Sequence, residues 1–182
     1  MYCGRLTWRN SMDLSRGIFL EISLSTPNLI TSTEFYQSLG FTSLQILPVW
    51  PHPYAVFSDG SITLGLHQYP FVSPSLTYVN HNITAALAEH EAAGIVIKFK
   101  KPSAEHLNEF GFSDSQGVMV TLLTASTYLK SVIAQPSQCG IFEKLVPPTL
   151  IQPSTTLVFK KSTMIVSGSV LTAPEGTNLL IL

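Results

Sequence analysis

The chain is short of charge and of cysteine, and it lacks the patterns that would tie it directly to a partner or a reaction. Only 12% of the residues are charged, 45% are hydrophobic, and the formal net charge is −1. So apolar a chain can bury a core and does not read as a disordered segment. Its densest basic group is Lys98, Lys100 and Lys101 in the run KFKK. That is too small for a nucleic-acid footprint and reads as the solvated end of a strand. No apolar run approaches the ~18 residues of a membrane span. The start, MYCGRLTWRNSMDLSRG, has no long apolar stretch of a secretory leader and reads as a lead-in over 1–16. Two cysteines, Cys3 and Cys139, make no disulfide framework, and neither has a partner at metal-ligand spacing, so a reduced, cytoplasmic setting is expected. There is no G-x-S-x-G elbow, no glycine-rich phosphate loop and no cysteine paired with a spaced histidine.

What is present is a repeat. Asn28 and Gly40 bracket LITSTEFYQSL, and Asn82 and Gly94, shifted by 54, bracket ITAALAEHEAA. Asn suits a helix N-cap, because its side chain accepts bonds from the first free N–H groups. Gly suits the residue past the end, because it enters the left-handed region without a Cβ clash. The spacing predicts helices over 29–39 and 83–93. Strand-like runs precede them at about 18–26 and 75–80, and others follow at 42–48 and 95–100. YAVFSDGSITLGLHQY reads as a hairpin turning at Asp59-Gly60, and FGFSDSQGVMVTLLTA repeats the turn-then-strand pattern. Each copy is thus βαβββ. In the second helix the alanines, Ala86 among them, allow close packing on a sheet, and His90 is expected near the surface. Duplicated units of this size pack as a pseudo-symmetric pair, and the seam between them is a natural place for a ligand.

Beyond about residue 128 the pattern changes. SVIAQPSQCGIFEKLVPPTLIQPS holds no helical period, and TTLVFKK, TMIVSGSVLTA and PEGTNLLIL read as strands. CGIFEKLVPP echoes GIFLEISLS, placing Glu143 opposite Glu21, and APEGTNLLIL echoes SDSQGVMVTLL, placing Gly176 opposite Gly117. Residues 129–182 are therefore expected to be a β-rich extension. It is either a degenerate further module without its helix or a cover for a strand edge or dimer contact.

EISLSTPNLITSTEFYQSLGF resembles the opening module of vicinal oxygen chelate proteins, the glyoxalase, bleomycin-resistance and extradiol-dioxygenase families. Asn28-Leu29, Ser32, Phe35-Tyr36 and Leu39-Gly40-Phe41 hold the module's positions, and FSDGSITLGLHQ and FSDSQGVMVTLL resemble its closing strands. The resemblance implies an α+β fold in which paired βαβββ modules, at about 17–71 and 72–128, form a curled, cup-shaped sheet around a ligand.

In metal-dependent members, four inward positions supply His or Glu. Carried over, they fall on Glu21, Gly65, Ser75 and Thr121, with His67 on the same side as Gly65. Glycine and two hydroxyl residues are poor donors for Zn, Fe, Ni or Mn, and Glu21 with His67 makes only two ligands. The expectation is therefore a small-molecule binder similar in logic to bleomycin-resistance proteins, without a resident metal. Glu21, His67, Ser75 and Thr121 would line the cup, and the loop aromatics Trp50, Tyr54 and Tyr69 would form a lip. Glu21 is also the candidate general base. The alternative is a divalent-metal lyase, isomerase or dioxygenase resembling lactoylglutathione lyase, in which Glu21 and His67 would hold the metal. A third reading is a non-catalytic assembly module. The resemblance also allows a homodimer. His52, between two prolines, reads as exposed loop, His81 as a turn residue, and Glu105, His106 and Glu109 as part of a solvated loop.

Overall fold

The computed structural model describes residues 16–102, 107–129, 133–149, 152–160, 162 and 164–182. Cys3, Glu105, His106 and most of the lead-in fall outside them. The first copy runs β1 (Ile18–Ser25), α1 (Leu29–Ser38), β2 (Thr42–Leu44), β3 (Tyr54–Ser58), β4 (Thr63–His67). The second runs β5 (Ser75–Val79), α2 (Ile83–Ala92), β6 (Ile97–Pro102), β7 (Leu107–Ser113), β8 (Met119–Leu123). The paired βαβββ architecture expected from the repeat is the one observed.

The two helices begin differently. Asn28 caps α1, its side chain accepting the N–H groups of Ile30 and Thr31 at 3.1 and 3.3 Å. Asn82 makes no such bond; its own N–H goes to the Asn80 side chain at 2.8 Å. Gly40 and Gly94 follow the helices with φ of 85° and 78°, the left-handed conformation their position requires. Of the alanines in α2, Ala86 is the buried one. His90 lies on the same face as Ala86 and is fully buried, correcting the surface expectation: four residues on is one turn on. Its Nδ1 donates to the Ala86 carbonyl at 2.6 Å, and its ring packs against Phe110 and Phe112.

The strands join in one eight-stranded sheet, order β2-β3-β4-β1-β5-β8-β7-β6. Within each copy the first and last strands run parallel, β1 with β4 and β5 with β8, while β1 and β5 meet antiparallel at the seam. Ile22 pairs with Leu76, its own counterpart after the shift of 54, so the pseudo-twofold axis passes between them. Ser23 and Thr77, also 54 apart, share a hydrogen bond of 2.7 Å across that axis.

The extension holds β9 (Ile141–Val146), β10 (Thr156–Lys160), β11 (Val170–Thr172) and β12 (Asn178–Ile181) in a second, four-stranded sheet, order β11-β12-β10-β9. β10 runs parallel to β12, and β11 antiparallel to β12, which is how β1, β4 and β3 are related. Gly176 and Gly117 occupy equivalent turns, with φ of 87° and 85° and each N–H bonded three residues back. The strand paired like β1 is therefore β10. The run 141–146 instead flanks it, and Glu143 forms an ion pair with Lys160 at 2.6 Å. Among the described residues of TMIVSGSVLTA, Val170–Thr172 is strand, and Gly168 turns the chain before it at φ 84°.

The extension shares the main core. Leu157, Phe159, Leu179 and Ile181 are buried in one cluster with Ile22, Tyr36, Phe41 and Leu64. Glu175 reaches α1, accepting from Tyr36 Oη at 2.6 Å and Ser32 Oγ at 2.8 Å. Burial and that carboxylate hold the Tyr36 phenol well above its ordinary pKa, so it remains a donor. No helix among the described residues is long and apolar enough to cross a membrane.

Candidate functional site

β1 and β5 place Glu21, Ser23, Ser75 and Thr77 on one face of the seam, because alternate residues of a strand share a side. β4 and β8 bring His67 and Thr121 to the same face. Over them lies a cavity of about 270 Å³, with Ser23, His67, Ser75, Thr77 and Thr121 in its floor and Trp50, His52, Tyr69, Phe71 and Phe99 in its walls. The structure thus brings together His67, Ser75, Thr121 and Trp50, all singled out by the sequence.

Glu21 and Tyr54 lie elsewhere than expected. Glu21 is 1% exposed and is not in the cavity lining. Its carboxylate folds over Gly65, where a Cβ would collide with it. The missing side chain at 65 is thus what makes room for the acid. Tyr54 is a buried residue of β3 and not a loop residue, and its hydroxyl donates to Glu21 Oε2 at 2.5 Å. Burial beside Glu21 raises the Tyr54 pKa far above the usual phenol range, so Tyr54 is a permanent donor. Thr127 supports it at 2.9 Å. Ser23 Oγ donates to Glu21 Oε1 at 2.9 Å, which leaves Thr77 as the donor to Ser23. His67 Nε2 lies 3.3 Å from the same carboxylate oxygen. A carboxylate this deep is costly unless it is hydrogen-bonded, and three donors answer that cost without a Lys or Arg among the described residues.

The sequence reading missed three wall groups. His52 is half-buried, not an exposed loop residue. Its ring lies between Trp50 and Tyr69, with centroids at 5.5 and 4.9 Å, and its Nε2 is 2.9 Å from His67 Nδ1. Desolvation, then the neighbouring His67 and Lys101, lower its pKa to about 4. Lys101, expected as a solvated strand end, lines the cavity with its ammonium 5.4–5.9 Å from the centroids of Phe99, Tyr69 and Trp50. It pairs with Glu109 Oε2 at 3.2 Å. Glu109 is buried on β7 rather than carried in a solvated loop, and burial raises its pKa against the opposing pull of Lys101. The one sequence signal for His52 is the loop PVWPHP itself, where an aromatic and a histidine stand between prolines.

A metal centre does not fit these residues. Glu21 and His67 are two donors, and both carboxylate oxygens of Glu21 are already engaged by Ser23, Tyr54 and His67. Ser75 and Thr121, at the other carried-over positions, bond to each other at 2.8 Å and are hydroxyls. Tightly held Zn, Fe or Ni wants three or more imidazole, carboxylate or thiolate ligands. No cluster of that kind occurs among the described residues.

No family model and no curated protein matches the sequence. Among solved structures the chain is similar to the hypothetical protein BH1468 from Bacillus halodurans C-125 (14% identity, 64% of this chain and 96% of that one, TM-score 0.45). It is similar to methylmalonyl-CoA epimerase from Mycobacterium tuberculosis (12% identity, 58% and 85%, TM-score 0.42). A bleomycin-binding protein complexed with bleomycin is a third (13% identity, 58% and 97%, TM-score 0.26). Identities this low say nothing about chemistry, and the fold stands on strand order and register. Those define the class: an α+β protein of two βαβββ modules with a cavity of about 270 Å³ at their seam. That is the fold that the opening module's resemblance to vicinal oxygen chelate proteins implied.

Proposed function

We propose that this protein binds a small organic molecule in the seam cavity and does so without a resident metal. The observation that carries the reading is the cavity itself, about 270 Å³, walled by aromatic rings over a floor of serine, threonine and histidine. Apolar walls with a few placed polar groups are the usual make-up of a small-molecule site. The floor has one unspent donor. Between Ser75 and Thr121 one hydroxyl hydrogen bonds the other oxygen, and the second hydrogen is uncommitted among the described residues. A ligand oxygen over that pair would orient the molecule, while Trp50, Tyr69, Phe71 and Phe99 supply contact area.

The test is elemental analysis of natively purified protein, followed by a thermal-shift screen of apolar organic molecules with and without added Zn, Ni, Fe and Mn. The expected result is no stoichiometric metal and a metal-independent rise in Tm with ligands that fit the cavity. Stoichiometric metal, lost together with ligand binding in Glu21→Ala and His67→Ala, would overturn it in favour of a metal-dependent lyase, isomerase or dioxygenase.

A further inference from the structure

One wall of the cavity is set by two neighbouring strands. Phe99 and Lys101 alternate on β6, and Glu109 and Gly111 alternate on β7, so each pair shares a side. The register puts Lys101 opposite Glu109 and Phe99 opposite Gly111. A Cβ at residue 111 would collide with the Phe99 ring, so glycine there is what lets the ring lie over β7. Phe99, Tyr69 and Trp50 converge on one point, which the Lys101 ammonium occupies at 5.4, 5.8 and 5.9 Å from their ring centroids. Glu109 closes the group, its two oxygens 3.2 and 3.3 Å from that nitrogen. Three rings and a carboxylate around one point suit an organic cation. Ring faces are negative, and the acid supplies the counter-charge.

Lys101 holds this place loosely. Its side chain is 52% exposed, and that of Glu109 is 9% exposed. The ammonium can therefore swing into water from the edge strand β6, and the carboxylate cannot follow. The charge balance points the same way. The cavity lining holds one carboxylate and one ammonium, and a second carboxylate, Glu21, lies beneath the floor. A ligand cation balances that sum among the described residues. A ligand anion would add a third negative charge where water screens poorly.

We propose that the cavity selects apolar molecules carrying a quaternary ammonium group, and that Lys101 is a built-in occupant of the cation subsite which such a ligand displaces. This rests on the small-molecule reading above. A lysine ammonium is a compact, strongly hydrated charge with three donors to satisfy. A quaternary ammonium has no N–H to leave unpaired, and it presents methyl groups to the rings. Exchange of one for the other keeps the counter-charge on Glu109 and returns Lys101 to water.

The experiment is calorimetric titration of the full-length protein with three molecules of one shape: phenyltrimethylammonium, the neutral tert-butylbenzene and the anion benzenesulfonate. The cation should bind at least about tenfold more tightly than the neutral molecule, a factor equivalent to about 1.4 kcal/mol, and the anion should bind most weakly. Lys101→Ala empties the cage and should tighten the cation further. Glu109→Gln should weaken the cation and leave tert-butylbenzene unchanged. Lys101 is half-exposed on an edge strand, so Lys101→Ala tests the subsite even if Glu109→Gln does not fold. Neutral binding as tight as that of the cation, tighter binding of the anion, or cation binding that Lys101→Ala does not tighten overturns the cation subsite and leaves the small-molecule reading standing. If none of the three binds while another molecule of the wider apolar screen does, the cation subsite alone falls. If nothing binds, both fall.

Discussion

Gly65 is the residue on which the site turns. Its place on β4 is the one that supplies a ligand in metal-dependent proteins of this fold, and here the absent side chain lets the Glu21 carboxylate lie across the strand. The backbone at 65 is ordinary strand, so the constraint is space and not conformation. Gly65→Ala should therefore act by overpacking, pushing Glu21 off Tyr54 and Ser23, at a cost of about 1–3 kcal/mol. Urea denaturation measures it, and a compensating Glu21→Ala in the same chain should recover part of the loss. Sequence reading reached Glu21 and His67 because each is a polar residue in an apolar strand. It could not see that they touch, because their contact spans a separation of 46. His52 was further out of reach: no periodicity governs a proline-flanked loop, and only packing sets its ring against Trp50 and Tyr69.

At the scale of elements, the two helices share a signature and differ in how they use it. Both end at a glycine with positive φ, as the spacing predicted, and both run between the expected strands. Asn28 caps with its side chain and Asn82 does not. Asn28→Ala should cost about 1 kcal/mol of stability, the usual value of a lost N-cap, whereas Asn82→Ala should stay within ~0.5 kcal/mol. Paired thermal or denaturant melts decide it, and equal losses would show that the Asn82 side chain caps α2 in solution. The strands were legible where alternation or a turn dipeptide marked them. β7 was not, because its glutamate and the charged loop before it carry the composition of solvent, while the buried face of the strand is set by pairing with β8.

For the whole molecule, the shared core matters most. Leu157 and Phe159 belong to the extension, yet each is fully buried in the cluster that holds β1, β4 and α1 together. Leu157→Ala should destabilise the entire chain by about 2–5 kcal/mol in one cooperative transition, because the cavity it leaves lies in a common core. Calorimetry checks this, and two separate transitions would show that the extension unfolds by itself. The sheet of the extension reproduces the β1, β3, β4 pairing, and Gly176 stands in the turn equivalent to that of Gly117. Glu143 lies on β9, which flanks the strand paired like β1, and short strands carry too few residues for similarity to choose between neighbours.

The sequence alone determined what is periodic or local: two copies shifted by 54, helices between a capping residue and a glycine, and a polar pair in apolar strands. It also placed Ser23 and Thr77 one repeat apart, which made their meeting at the axis a consequence of antiparallel pairing. Only the tertiary structure decided which polar groups face the cavity and which lie beneath it. It alone lined up His52, His67 and Glu21 and turned Lys101 over the aromatic wall. Those contacts join residues far apart in the chain, and their energies depend on desolvation and distance, which no local pattern encodes.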